Sequence, residues 1–360
     1  MSEIERRIVQ KGRGTLSNEV GRFELYQRAG FDDGWGSADE PALPLETSLI
    51  EDTTRTIIAR NQSPDVPFDR SINPYRGCEH GCVYCFARPT HAYLGLSPGL
   101  DFESRLFFKP RAAELLRGEL SKPAYRCQPM GLGTNTDPYQ PIERKLGITR
   151  QILQVLQEFN HPVTIVTKGA LIQRDIDILA AMAKRHQARV ALSVTTLDRG
   201  LARRMEPRAA TPERRLETIR ALSDAGIPVS VLAAPMIPGL NDHELEAILE
   251  AARDHGALSA GWVLLRLPLE IKDLFAEWLE ANVPLRARHV LALVRETRHG
   301  KHNSSEWGER MRGDGPYADL IAQRFRLAIK RLGLDQRDRS ALDCTQFRPP
   351  PKAGDQLSLF

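Results

Sequence analysis

The chain has 360 residues, of which 41% are hydrophobic and 27% charged, and a formal net charge of +4. That is enough apolar material for one large domain with additions at its ends. No stretch approaches the roughly 20 apolar residues of a membrane span. The opening MSEIERRIVQKGRG has no apolar run to serve as a secretory h-region, so a cytoplasmic protein with no membrane partner is expected. A pI near 8.8 is compatible with a nucleic-acid partner without arguing for one.

Residues 1–70 are rich in Gly, Pro, Asp and Arg, and pieces such as DDGWGSADEPALP read as an irregular N-terminal arm. The next segment, NPYRGCEHGCVYCFARP, places three of the five cysteines, Cys78, Cys82 and Cys85, in a CxxxCxxC pattern. Disulfide scaffolds are short, secreted and cysteine-dense, so in this chain the grouping points to metal. Three thiolates can ligate three irons of a 4Fe–4S cubane and leave the fourth open, whereas ferredoxin-type carriers use four cysteines per cluster. The open iron can bind an exogenous chelate such as the amino and carboxylate groups of a methionine moiety. The competing reading is structural zinc with His80 or His91 as a fourth ligand, but zinc sites usually use two well-separated cysteine pairs.

From residue 71 short apolar runs alternate with helical periodicity. The runs are PMGLGTN, PVTIVTK, RVALSVTT, PVSVLAAPMI and GWVLLRLP; among the helical stretches are ITRQILQVLQEF, RDIDILAAMAKR, PERRLETIRALSDAG and HELEAILEAARDHG. With a first strand near Ser71–Tyr75 there are about six β/α units, joined by right-handed crossovers into a parallel sheet. The predicted fold is therefore α/β, a partial (β/α)6 TIM-like barrel over residues 71–283, with the cysteine loop at the C-terminal strand ends where barrels place active sites. Cys127 reads as a structural core cysteine and Cys344 stands alone.

Residues 284–340 read as a helical extension, with the basic group Arg324, Arg326, Lys330 and Arg331 forming a solvated helix face. Residues 341–360 contain three consecutive prolines and read as an extended tail. It ends Gln356-Leu357-Ser358-Leu359-Phe360. This looks like the QLxLF peptide by which bacterial polymerases and repair proteins dock on the replicative sliding clamp, its apolar end filling a pocket. The alternative is that the terminus packs back on its own domain.

The chain resembles radical S-adenosylmethionine (SAM) proteins of the spore photoproduct lyase type, through NPYRGCEHGCVYCFARPTH, TDPYQPIE, TKGALIQRDIDIL, EPRAATPERRLETIRALSDAGIPV and APMIPGLND. The aromatic Tyr84 before the third cysteine matches that usage. The resemblance implies a 4Fe–4S cluster on the three cysteines, SAM as its chelate and a barrel of the radical SAM type. It also implies SAM-binding roles for Tyr84, for Gly131 and Gly133 with Asn135 and Asp137, for Lys168 at the carboxylate, for Ser193 and Thr195, and for Ile237 beside the adenine. An electron donor such as flavodoxin or ferredoxin is expected.

Two departures separate the chain from the lyase's own mechanism. Thr134 stands where the lyase has its hydrogen-donating cysteine, and Phe86 stands where it has a tyrosine after the third cluster cysteine. The substrate is therefore open: DNA, including damaged DNA; RNA, protein or a small metabolite; or none, in a metal-stabilised clamp-binding adaptor.

Overall fold

The computed structural model describes residues 12–24, 45–335 and 341–351. In chain order its strands are β1 (Ser48–Glu51), β2 (Ile58–Arg60), β3 (Arg70–Ile72), β4 (Tyr75–Arg76), β5 (Arg105–Phe108), β6 (Met130–Leu132), β7 (Val163–Thr167), β8 (Ala188–Ser193), β9 (Val229–Met236) and β10 (Ser259–Leu264). The helices are α1 (Leu100–Ser104), α2 (Ala112–Leu120), α3 (Glu143–Leu146), α4 (Ile148–Glu158), α5 (Ile176–Ala183), α6 (Arg199–Met205), α7 (Pro212–Asp224), α8 (Leu245–Asp254), α9 (Ile271–Asn282), α10 (Pro284–Glu296) and α11 (Pro316–Leu332).

Six strands, β3 and β6 to β10, run parallel in sequence order, and β2 adds antiparallel to β3 at one edge. The sheet stays open between β2 and β10, so the barrel is partial as expected. Strand pleating sorts the side chains. On β9, Val229, Val231 and Ala233 are buried among the outer helices, while Ser230, Leu232 and Ala234 alternate with them on the inner face. Helices α4, α5, α7 and α8 complete this core with residues such as Ile152, Leu179, Leu222 and Ile248. A second apolar cluster joins Val83 and Tyr84 of the cysteine loop to Phe275, Trp278 and Val290 of α9 and α10.

The arm is more ordered than its composition suggests. Strand β1 pairs in parallel with β5, and β2 extends the main sheet. With four and three residues respectively, these strands are too short to show an alternation in the sequence. Gly14 passes so close to the cysteine loop that a Cβ there would lie 1.7 Å from the Gly81 carbonyl oxygen.

At the other edge, α11 covers β10, with Phe325 and Trp262 rings 6.2 Å apart. Arg324 departs from the solvated face expected of it. It pairs with Glu246 of α8 at 2.5 Å, while Arg326 and Arg331 remain exposed. Part of the stretch read as an extended tail is docked instead: Phe347 packs against Tyr125 and His161, and the Arg348 N–H donates to the Phe159 carbonyl. Gln356, Leu357, Ser358, Leu359 and Phe360 lie outside the described residues.

Candidate active site

The loop that carries the three cysteines leaves β4 and is pinned on every side. The Cys78 N–H donates to Phe102, the Val83 N–H to Met205 and the Glu79 N–H to the Gln140 side chain. Below it, Arg88 donates through Nε to the Cys82 carbonyl and through Nη2 to Glu103. Glu103 also accepts from the Gly14 and Thr15 N–H groups and the Thr15 hydroxyl. A buried ion pair is tolerable only when its remaining hydrogen-bonding capacity is filled, and here much of it is.

Cys78, Cys82 and Cys85 line one cavity of about 240 Å³ at the C-terminal ends of β6 to β10. Burial pushes all three thiols up from the ordinary cysteine value. Facing them are Gly133, Asn135, Asp137, Lys168 and Ser193. Gly133 needs its glycine: at φ +80° its Cβ would stand 1.9 Å from the Val166 carbonyl oxygen.

Asp137 organises the opposite wall. It accepts from the Thr167 hydroxyl, the Lys168 N–H and the Tyr139 N–H, and its Oδ2 lies 3.3 Å from His80 Nδ1. Burial alone would raise this carboxyl, but His80 and those donors hold it at about 2. The Lys168 ammonium stands over the Tyr84 ring, 5.7 Å from its centroid.

A family model described as "Radical SAM superfamily" matches residues 72–252. The chain belongs to the radical SAM superfamily. An uncharacterized protein of Mycobacterium tuberculosis (strain ATCC 25618 / H37Rv) is 36% identical over 276 residues, which cover 75% of this chain and 79% of that one. One from Methanocaldococcus jannaschii is 27% identical over 173 residues, 48% of this chain and 62% of the relative. Among solved structures, spore photoproduct lyase complexed with dinucleoside spore photoproduct aligns with a TM-score of 0.57 at 15% identity, over 79% of each chain. A mutant of that lyase with bound AdoMet and dinucleoside spore photoproduct gives 0.56 at 14% identity, again over 79% of each chain. The fold is thus that of the lyase, and the protein is a radical SAM enzyme.

The family implies a 4Fe–4S cluster and SAM, and the residues fit them. Three cysteines and no fourth share the cavity, so a cubane they held would keep one iron open. Of the two histidines that could complete a zinc site, His80 lines the same cavity but turns its Nδ1 to Asp137 at 3.3 Å, while His91 Nε2 is 2.9 Å from the Arg105 carbonyl, with burial lowering that ring to about 4. Among the described residues no three His, Cys, Asp or Glu side chains are gathered to hold a single metal ion.

Three of the expected SAM residues are not in the cavity wall. Gly131 lies two residues below Gly133 on β6, about 7 Å deeper in the barrel. Thr195 falls beyond the end of β8, and its hydroxyl donates to Glu206 instead. Ile237 is fully buried beside α9 and α10, and Ala234 and Pro235 take the cavity face in its place. Tyr84 lines the cavity but spends its hydroxyl on Glu206, which also binds Arg215. This buried pair stands in EPRAATPERR, where two charged residues that fold inwards look like ordinary surface charge. Arg266 was also missed, although it is a lone cation inside the apolar run GWVLLRLP, which is a usable signal. Its guanidinium covers the Phe86 ring at 5.4 Å and makes no hydrogen bond to an oxygen among the described residues.

Proposed function

We propose that the protein binds a 4Fe–4S cluster through Cys78, Cys82 and Cys85 and cleaves SAM in the cavity those residues line, acting on a nucleic-acid substrate. The observation that carries this reading is the placement of three thiols opposite Asp137, Lys168 and Ser193 across one opening at the strand ends. When bound, the cluster and SAM supply a 5′-deoxyadenosyl radical that abstracts hydrogen from a substrate. The chain's part is to bind, orient and shield. Lys168 offers a point charge to a carboxylate, Asn135 and Ser193 offer polar groups, and Val166, Leu232 and Val263 give the cavity dry walls.

Support for a nucleic acid comes from Phe86, which is 47% exposed beside Cys85, and from Arg266 above it. A ring face and an arginine without an oxygen partner suit a base and a phosphate. The tail QLSLF would bring the enzyme to the replicative sliding clamp, and a flavodoxin or ferredoxin would supply the electron. The test is anaerobic reduction with SAM, with and without damaged DNA, followed by mass spectrometry of the products. 5′-Deoxyadenosine together with a changed nucleotide supports the reading. Cleavage of SAM that leaves DNA unchanged and responds to a protein or small metabolite would replace the substrate.

A further inference from the structure

Glu206 and Arg215 form an ion pair closed off from solvent, their side chains 0% and 2% exposed. It stands behind the cavity wall. Arg215 donates through Nη1 to the Ser193 carbonyl at 3.0 Å and through Nε to the Ala210 carbonyl at 2.8 Å. Glu206 Oε1 accepts from the Thr195 hydroxyl at 2.7 Å and from the Tyr84 hydroxyl. A buried pair contributes little net stability compared with packed apolar residues, so stability alone does not account for this one.

Tyr84 is gripped at both ends by the end of α6. At its root, the N–H of the preceding Val83 donates to the Met205 carbonyl at 3.0 Å; at its tip, Glu206 takes the hydroxyl. The ring so held lines the cavity between Cys82 and Cys85. Over it stands the Lys168 ammonium, 5.7 Å from the centroid and within reach of a cation–π contact. A phenol that donates to a carboxylate has a more electron-rich ring, which strengthens its hold on a cation.

We propose that Glu206 is a positioning residue: through the Tyr84 hydroxyl it fixes the ring that seats the Lys168 ammonium, and so presents that charge to an anionic group of a ligand in the cavity. The inference rests on the reading of Lys168 as a partner for the SAM carboxylate, and it gives Glu206 no contact with the ligand. A lysine stem is long and flexible, and seating it beforehand lowers the ordering entropy that binding costs. A ring face does this without neutralising the ammonium, as a carboxylate partner would.

The test measures SAM affinity by equilibrium dialysis on cluster-loaded, unreduced protein, so that no turnover enters the result. Tyr84→Phe keeps the ring but cuts its tie to Glu206, and should weaken SAM binding roughly threefold. In a Lys168→Met background the same change should cost nothing more, because residues that act through one another are not additive. Glu206→Gln still offers the hydroxyl an acceptor and should bind SAM close to wild type, whereas Glu206→Leu should match Tyr84→Phe. Glu206→Leu also strands the Arg215 charge, so Tyr84→Phe, which leaves the ion pair in place, carries the test if that variant does not fold. A second readout needs no SAM. Lysines are reductively methylated with ¹³C-formaldehyde, and the Lys168 methyl signal is identified by its loss in Lys168→Met. The ring should shift that signal upfield, and Tyr84→Phe should move it back towards the other lysines. Equal losses of affinity from Tyr84→Phe in both backgrounds, or a methyl signal that Tyr84→Phe leaves in place, would overturn the inference. If Lys168→Met alone leaves SAM affinity unchanged, the carboxylate reading falls instead, and the methyl signal decides the positioning by itself.

Discussion

Arg88 and Glu103 form an ion pair 2.6 Å apart, with no solvent exposure on either side chain, directly beneath the cysteine loop. Because Arg88 also binds the Cys82 carbonyl and Glu103 also binds the arm at Gly14 and Thr15, this pair ties the cluster motif to the N-terminal segment.

Breaking one side of a buried pair strands the other charge, at a cost of about 3–5 kcal/mol. Glu103→Gln and Arg88→Met should each lower the urea midpoint by an amount equivalent to that loss. They should also reduce the iron retained per chain. A variant with wild-type midpoint and full iron content would show that the loop is held by its other contacts.

Cluster binding should depend on three cysteines and spare two. Anaerobic protein should carry about four irons per chain, and Ala at Cys78, Cys82 or Cys85 should abolish the visible absorbance and SAM cleavage. Ala at Cys127 or Cys344 should leave both intact. Stoichiometric zinc without iron in reconstituted protein would favour the metal-stabilised adaptor.

Lys168 tests the SAM assignment independently of the cluster. No carboxylate pairs with it among the described residues, and it stands across the cavity from the cysteines. Lys168→Met should weaken SAM binding in equilibrium dialysis roughly tenfold, as expected for losing one charge-assisted contact. Iron content should not change. Unaltered SAM affinity would remove the lysine from the binding site.

His161 predicts a pH effect at the opposite end of the barrel. It is buried between Tyr125 and Phe347, its Nε2 2.8 Å from the Tyr125 hydroxyl, and burial lowers it to about 4. At neutral pH it is neutral whether the chain is folded or not. As pH falls below the ordinary histidine value, the unfolded chain takes a proton that the folded one refuses. Stability therefore drops progressively between about pH 6.5 and pH 4, by up to about 1.4 kcal/mol per pH unit from this one group. His161→Gln should flatten that part of the denaturation profile. An unchanged profile would mean that other groups set it.

The tail makes the last prediction. A peptide of Asp355 to Phe360 should bind purified bacterial sliding clamp with roughly micromolar affinity, and Ala at Leu359 and Phe360 should remove it, because the apolar anchors carry most of a small interface's energy. The same change in the full chain should leave iron content and SAM cleavage unaltered. Absence of binding in titration would leave Phe86 and Arg266 as the remaining support for a nucleic-acid role.

The grouping of Cys78, Cys82 and Cys85, the six parallel strands and the position of the motif at the strand ends were all legible in the amino-acid order. Each rests on a local regularity: close thiol spacing, apolar runs with flanking turns, and alternation of strand with helix. The family resemblance, not those regularities, pointed to Gly133, Asn135, Asp137, Lys168 and Ser193, and all five line the cavity. Residues whose place depends on depth or on a distant partner were not legible. Gly131 and Thr195 share motifs with true cavity residues, yet one is a layer too deep and the other has turned away to Glu206. Glu206 and Arg215 read as surface charge until α6 and α7 pack behind β8. Tyr125 and Phe347 looked unrelated because only the docking of segment 341–351 on the barrel base makes them neighbours. Spacing along the chain determines what one loop can ligate, whereas contacts between remote segments exist only after packing has chosen which faces meet.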